Sequence, residues 1–135
     1  MALFPTIKPL SWFALVLLLS ACSHDYQLMR TEETLNQYGA AIRWSLFKRA
    51  VTFLADPSKE KLGWKELGKV EVTHYKPTFR DLFPSGNILI QTVEIHYLTG
   101  GGIVERSLTD EQRWRYDEAQ ERWLLETGLP KFKIQ

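Results

Sequence analysis

Residues 68–75 read Gly-Lys-Val-Glu-Val-Thr-His-Tyr, and the spacing of apolar residues changes at Gly68. Before it they recur every three or four positions, after it every two. A period of two is that of a strand with one covered face, because successive side chains point to opposite sides of a pleated backbone. Val70 and Val72 oppose Glu71 and Thr73, so the alternation predicts a half-buried strand over 69–75, with Pro77 closing or bending it.

The same period continues downstream. Pro84-Ser85-Gly86-Asn87 is a turn cluster. Residues 88–98 form a predicted strand with Leu89, Val93, Ile95 and Tyr97 on one face and Thr92, Glu94 and His96 on the other. Gly100-Gly101-Gly102 makes a hairpin into a second long strand, 103–117. Val104, Leu108, Trp114 and Tyr116 share one of its faces; Arg113, Arg115 and Asp117 share the other. Residues 117–120 turn the chain, 121–127 return it with Trp123 and Leu125 inside, and Phe132 tucks back from the tail after Gly128-Leu129-Pro130.

Upstream of Gly68 the period is helical. Over 31–43, Leu35, Tyr38 and Ile42 make one stripe, while Glu32, Glu33, Gln37 and Arg43 face water. Gly39, Ala40 and Ala41 thin that helix enough for a strand to approach closely. Asp25 or Thr31 would cap it. Ser45 is read as the cap of a second helix, 46–55, burying Leu46, Phe47, Ala50, Val51 and Leu54 and stopped by Asp56-Pro57. A third short helix over 58–67 carries Trp64 and Leu67 inward. Helices followed by four antiparallel strands give an α+β domain with the helices packed on one face of a curved sheet.

Further upstream, residues 10–22, LSWFALVLLLSAC, are an apolar run preceded by Lys8 and ending in small residues before the single cysteine. That is the layout of an export signal. Leu19-Ser20-Ala21-Cys22 resembles the bacterial lipobox, so the chain is similar to a lipoprotein precursor. The resemblance implies that Leu19, Ser20 and Ala21 are read by a type II signal peptidase. It also implies that Cys22 is lipidated and that residues 1–21 are removed. Ser23 after the cysteine, rather than Asp, then points to the outer membrane, facing the periplasm. Residues 22–30 become a polar tether and 31–135 the domain.

Removal of 1–21 would take Lys8 from the 17 basic residues and nothing from the 16 acidic ones, leaving 16 against 16. A neutral chain argues against a nucleic-acid partner and against a polybasic hold on lipid. With Cys22 lipidated, the remaining 114 residues (135 minus 21) have no thiol for a disulfide or metal, and packing alone holds them.

The element order, with its Trp- and Tyr-rich meander, resembles the NTF2-like (cystatin-like, cone-shaped) fold. Arg43-Trp44-Ser45-Leu46-Phe47, Gln112-Arg113-Trp114-Arg115-Tyr116-Asp117 and Arg122-Trp123 followed by Thr127-Gly128-Leu129-Pro130 resemble elements of small uncharacterised bacterial lipoproteins. That fold hosts isomerases, dehydratases, carriers and dimerisation modules, so it does not choose a function.

The nearest titratable residues for a cone-shaped enzyme are His74, Glu94 and His96, with Asp110 and Tyr97 in reserve. Glu94 and His96 share a face, where a carboxylate orients an imidazole and raises its pKa. That face is opposite Val93, Ile95 and Tyr97, so the pair is expected in solvent. His74 and His96 lack a third metal ligand. Arg113, Arg115 and Arg122 are expected in surface pairs with neighbouring carboxylates. Trp44, Trp64, Trp114 and Trp123 are expected in the core. The expectation is a non-catalytic, lipid-anchored binding module without a cofactor, its partner an envelope protein, a small apolar ligand or a second copy. An isomerase- or dehydratase-type enzyme with a His or Asp in the cone is the alternative.

Overall fold

The computed structural model describes residues 28–134. The signal segment, the lipobox residues Leu19 to Cys22 and Asp25 lie outside them. By packing the chain divides after Thr34. In the first unit residues 28–34 are already helical, including 28–30 of the expected tether, and the Thr34 hydroxyl donates to the Arg30 carbonyl at 3.0 Å.

The second unit, Leu35 to Gln135, holds the rest of this first helix (α1, 28–43) and the sheet. Leu35, Tyr38, Ala41 and Ile42 are buried, the stripe that the helical period requires. α1 ends in a Schellman-type closure. The Leu46 amide donates back to the Ala41 carbonyl at 2.8 Å, the Ser45 amide to Ile42 at 3.0 Å, and Ser45 takes a left-handed φ of 56°. Ser45 therefore closes the first helix instead of capping the second.

The second helix is shorter than its apolar pattern suggests. It comprises α2 (Phe47–Ala50) and one 3₁₀ turn, Val51–Phe53. The 58–67 segment is a 3₁₀ turn, Pro57–Lys59, and a four-residue α3 (Trp64–Leu67). Leu67 is buried as expected, but Leu46 is 49% exposed, Trp64 52% and Trp44 67%. Of the four tryptophans expected in the core, only Trp114 and Trp123 are there. Helices this short have no continuous stripe, so the period that assigned their inward faces does not apply.

The sheet is an antiparallel meander in the order β1-β2-β3-β4. Its strands are β1 (Val70–Leu82), β2 (Ile88–Thr99), β3 (Arg106–Asp117) and β4 (Arg122–Leu125). β1 runs on through Pro77, which an edge strand tolerates because it lacks a second neighbour. Two register shifts break its alternation, between Val72 and His74 and between Pro77 and Phe79. Each adds a residue, and each exchanges the faces beyond it. The first turns Tyr75 inward opposite Ile95 and His74 outward opposite His96. The second turns Arg80 toward Gln91 and leaves Phe79 57% exposed. Val72, at the first shift, has both backbone groups held by the α1 closure. Its amide donates to the Ser45 hydroxyl at 3.0 Å, and Arg43 Nη1 donates to its carbonyl at 2.9 Å.

The helix-covered face of β2 and β3 buries Leu89, Val93, Ile95, Tyr97 and Trp114. Tyr38 meets Trp114 edge to face at 5.1 Å, and Phe132 returns from the tail onto Tyr97 at 5.0 Å and Phe47 at 5.5 Å. β3 starts at Arg106, so Ile103 and Val104 belong to the hairpin loop and stand 97% and 75% exposed.

Tyr75 fixes how near α1 comes. Its ring lies where a Gly39 side chain would be, with Cε1 2.8 Å from an ideal Cβ. Gly39→Ala is expected to lower stability by about 1–2 kcal/mol, because the hydrogen-bonded Tyr75 ring cannot swing aside and the clash exceeds the helix-propensity gain of roughly 1 kcal/mol. Urea unfolding would show the midpoint falling at constant slope; an unchanged or raised midpoint rejects the close contact.

Candidate functional site

Between α1 and the sheet lies a chain of polar side chains, produced by strand parity and the two shifts of β1. Gln91 and Gln112 face each other across β2 and β3, and each is 1% exposed. Arg80 donates to Gln91 Oε1 from Nε at 2.9 Å and from Nη2 at 2.7 Å. Gln91 Nε2 donates to Gln112 Oε1 at 3.1 Å, which also accepts from Trp114 Nε1 at 3.0 Å. Gln112 Nε2 donates to the Tyr75 hydroxyl at 3.1 Å and to Asp110 Oδ2 at 2.9 Å. Gln112 thus fills both acceptor and both donor positions of one buried amide.

Burial sets the electrostatics of this chain. It pushes the Asp110 carboxyl up to about 6, against the opposing pull of the Gln112 N–H and the Lys131 charge. It pushes the Tyr75 hydroxyl up to about 12, again against Gln112. Tyr38 is fully buried, its hydroxyl has no hydrogen-bond partner among the described residues, and burial, then Asp110, raises its pKa far above the usual value. All three groups are therefore neutral in weakly acidic solution, when an uncharged interior is most stable.

The opposite sheet face carries a second cluster. His96 Nε2 lies 2.7 Å from Glu94 Oε1, and Nδ1 lies 2.7 Å from Glu105 Oε1. Thr73 donates to Glu105 Oε2 at 2.9 Å, and the His74 ring stands 5.1 Å from that of His96. Hydrogen bonds to the two carboxylates raise the His96 pKa, and His96 in turn lowers those of Glu94 and Glu105. The cluster is solvent-facing, as strand parity predicts. Among the described residues no group of three or more His, Cys, Asp or Glu side chains is placed to hold a metal.

Two concavities adjoin these groups. A recess of about 260 Å³ lies over the inner chain, bounded by Gly39 and Arg43 on α1, Tyr75 and Arg80 on β1, and Gln91 on β2. A cleft of about 470 Å³ opens between the 54–62 segment and the 125–131 segment. Leu54, Leu62, Leu125 and Leu129 line it apolarly, with Lys59, Glu60 and Lys131 among its charged groups. The Glu60 carboxylate bridges it by accepting the Leu129 amide at 3.0 Å.

Of the four sequence candidates the structure brings three together, His74, Glu94 and His96, on the outer face. Asp110 alone points inward. Tyr75, Arg80, Gln91 and Gln112 were not singled out by the sequence. Parity counted from Leu89 and Trp114 places both glutamines inward, whereas the β1 shifts leave no mark in the residue pattern. Arg113 and Arg115 pair with Glu126 at 3.0 and 2.7 Å, so these arginines are engaged as expected; Arg122 instead bonds Gln120 at 3.1 Å.

Comparison with known proteins finds no family model, no curated protein and no solved structure that matches this chain.

Two pH dependences follow. Asp110 has a folded pKa above its ordinary 3.8, so the stability linked to its protonation is fully present below 3.8 and lost as pH rises through about 6. Asp110→Asn keeps an acceptor for Gln112 and is expected to raise stability at pH 7 by about 2 kcal/mol, at most about 3, while flattening the profile between pH 4 and 7. Urea midpoints across that range check it; destabilisation at pH 7 would mean that the ionised carboxylate is needed. His96 is also raised, so its contribution is complete below about 6.5 and vanishes as pH rises through the folded value. Glu94 and Glu105, being lowered, lose theirs only as pH falls through their folded values. His96→Gln is therefore expected to remove the alkaline-side decline in melting temperature while leaving the Asp110 titration in place, as two-dimensional NMR would read.

Proposed function

We propose that this chain is a lipid-anchored protein of the bacterial cell envelope whose NTF2-like domain is a non-catalytic binding module. Residues 1–21 are removed, Cys22 carries the lipid, and the domain faces the periplasm from the outer membrane. The observation that carries the non-catalytic reading is the four-bonded Gln112 amide. Arg80, Gln91, Gln112, Tyr75 and Asp110 hold one another, and neither recess nor cleft has Asp110 in its wall. Such a network rigidifies a core; an acid–base site needs its titratable group open to a substrate. The cleft has the size of a small-molecule site, and its four leucines would meet a small apolar ligand within a rim of charged side chains. An envelope protein or a second copy of the chain is the other partner this reading admits. No cofactor or nucleic acid is part of it.

A second reading is favoured by Asp110 itself. A buried carboxyl raised to about 6, bonded through Gln112 to a tyrosine, has the pKa of a general acid or base of isomerase or dehydratase type.

The anchor is tested in cells fed labelled palmitate. The full chain is expected to take up label and to sediment with membranes after losing residues 1–21. Cys22→Ser should do neither, since two or more acyl chains at about 0.8 kcal/mol per buried CH₂ supply the hold. Undiminished labelling, or normal maturation of Cys22→Ser, overturns the reading.

A further inference from the structure

Exposed large apolar side chains within residues 35–134 gather at the two ends of β1. Phe79, Leu82 and Phe83 lie at its far end. Trp44, Leu46, Trp64, Ile103 and Val104 lie around its start. The register and loop hydrogen bonds place the second group together. Val70 pairs with Thr99, so the 100–104 hairpin tip stands beside the α3–β1 junction, where the Gly100 amide donates to the Lys69 carbonyl at 2.9 Å. The turn bearing Trp44 is tied to Val72, two residues into the same strand. Lys48 lies over the Trp64 ring at 5.9 Å, which joins α2 to α3.

The chemistry of this end is specific. Both tryptophans carry a cation on the ring face, Arg43 over Trp44 at 4.7 Å and Lys48 over Trp64. Lys65, Lys69 and Arg49 are exposed beside them. Glu66, Glu71 and Glu105 are the acidic neighbours, and Glu105 is already held by His96 and Thr73. The local balance is positive although the whole chain is nearly neutral, with a net charge of +1. Ile103 and Val104 stand out from a loop with three glycines, two of them at left-handed φ of 58° and 74°. Indole rings flanked by Lys and Arg match the headgroup layer of a bilayer, where the ring is half wet and the cation meets lipid phosphate. A bare aliphatic tip fits the acyl layer just beneath.

We infer that this end of the domain docks on an anionic lipid surface, with Ile103 and Val104 inserted and Trp44 and Trp64 at headgroup level. The inference rests on the envelope reading only for the bilayer being at hand, since the surface is built independently of Cys22.

The test uses the mature chain carrying Ile103→Cys, labelled with a nitroxide, in vesicles of phosphatidylglycerol and phosphatidylethanolamine. Phe79→Cys, at the opposite end of β1, is the comparison. The label at 103 is expected to gain collisions with dissolved oxygen and to lose them with a water-soluble nickel chelate. The label at 79 should stay open to the chelate, and Lys48→Glu with Lys65→Glu should return the 103 label to water. Equal chelate access at 103 and 79 overturns the inference. So does dipolar broadening between labels at 103, which would mark a second copy as the occupant. Mass measurement reports separately whether Cys22 carries lipid. If it does not, the same comparison on chain added to preformed vesicles decides the docking alone.

Discussion

The Gln91–Gln112 amide pair is the constraint around which this domain is built. Two amides at 1% exposure between an helix and a sheet are tolerable only if their donors and acceptors meet partners, since a buried amide lacking them costs about 1–3 kcal/mol. Every neighbouring feature supplies such a partner. β3 contributes Asp110 and Trp114 on the same inward face, and β1 brings Tyr75 and Arg80. Had the two β1 shifts not occurred, His74 would oppose Ile95 where Tyr75 now does, and Thr78 would oppose Gln91 where Arg80 now does. The shifts are thus the backbone's way of delivering polar partners to a core that the strand pattern alone would leave unsatisfied.

The same constraint explains why the chain closes α1 with a serine rather than a glycine. A shifted edge strand leaves an amide and a carbonyl unpaired at Val72. The left-handed Ser45 supplies its hydroxyl to the amide, which glycine could not, and Arg43 covers the carbonyl. That docking also fixes where the chain emerges. Trp44 and Leu46 are thrown outward because the residues on either side of Leu46, Ser45 and Phe47, are turned into the protein.

How much of this is legible in the residues depends on whether the information is local. The meander, its turns and the inward set Leu89, Val93, Ile95 and Tyr97 follow from alternation within one strand. Gln91, Gln112 and Asp110 were equally available by parity, but a polar side chain reads as outward when pattern is weighed by hydrophobicity. The inward face of Tyr75 and the pairing of Arg80 with Gln91 were not available, because a register shift is a property of two paired strands and depends on what the partner offers. Trp44 and Trp64 misled for a related reason. Their size argues for burial, and only the brevity of α2 and α3 shows that no inward stripe exists to receive them.

The outer and inner faces of the sheet handle charge in opposite ways, and this bears on which could act on a ligand. Outside, His96 sits between two carboxylates in water, so its charge is compensated and its ion pairs are weak. Inside, burial raises the pKa of Asp110 and of both tyrosines and so disfavours their charged forms, while Gln112 bonds Asp110 and Tyr75. A small change in the polarity above Asp110 would alter its ionisation far more than any change at His96, since screening is slight in the interior. A ligand in the recess would meet Tyr75, Arg80 and Gln91, the members of the inner chain that line it. The outer cluster, by contrast, would report only pH. A ligand that bonded Arg80 or Gln91 in the recess would compete with the hydrogen bonds that close the inner network.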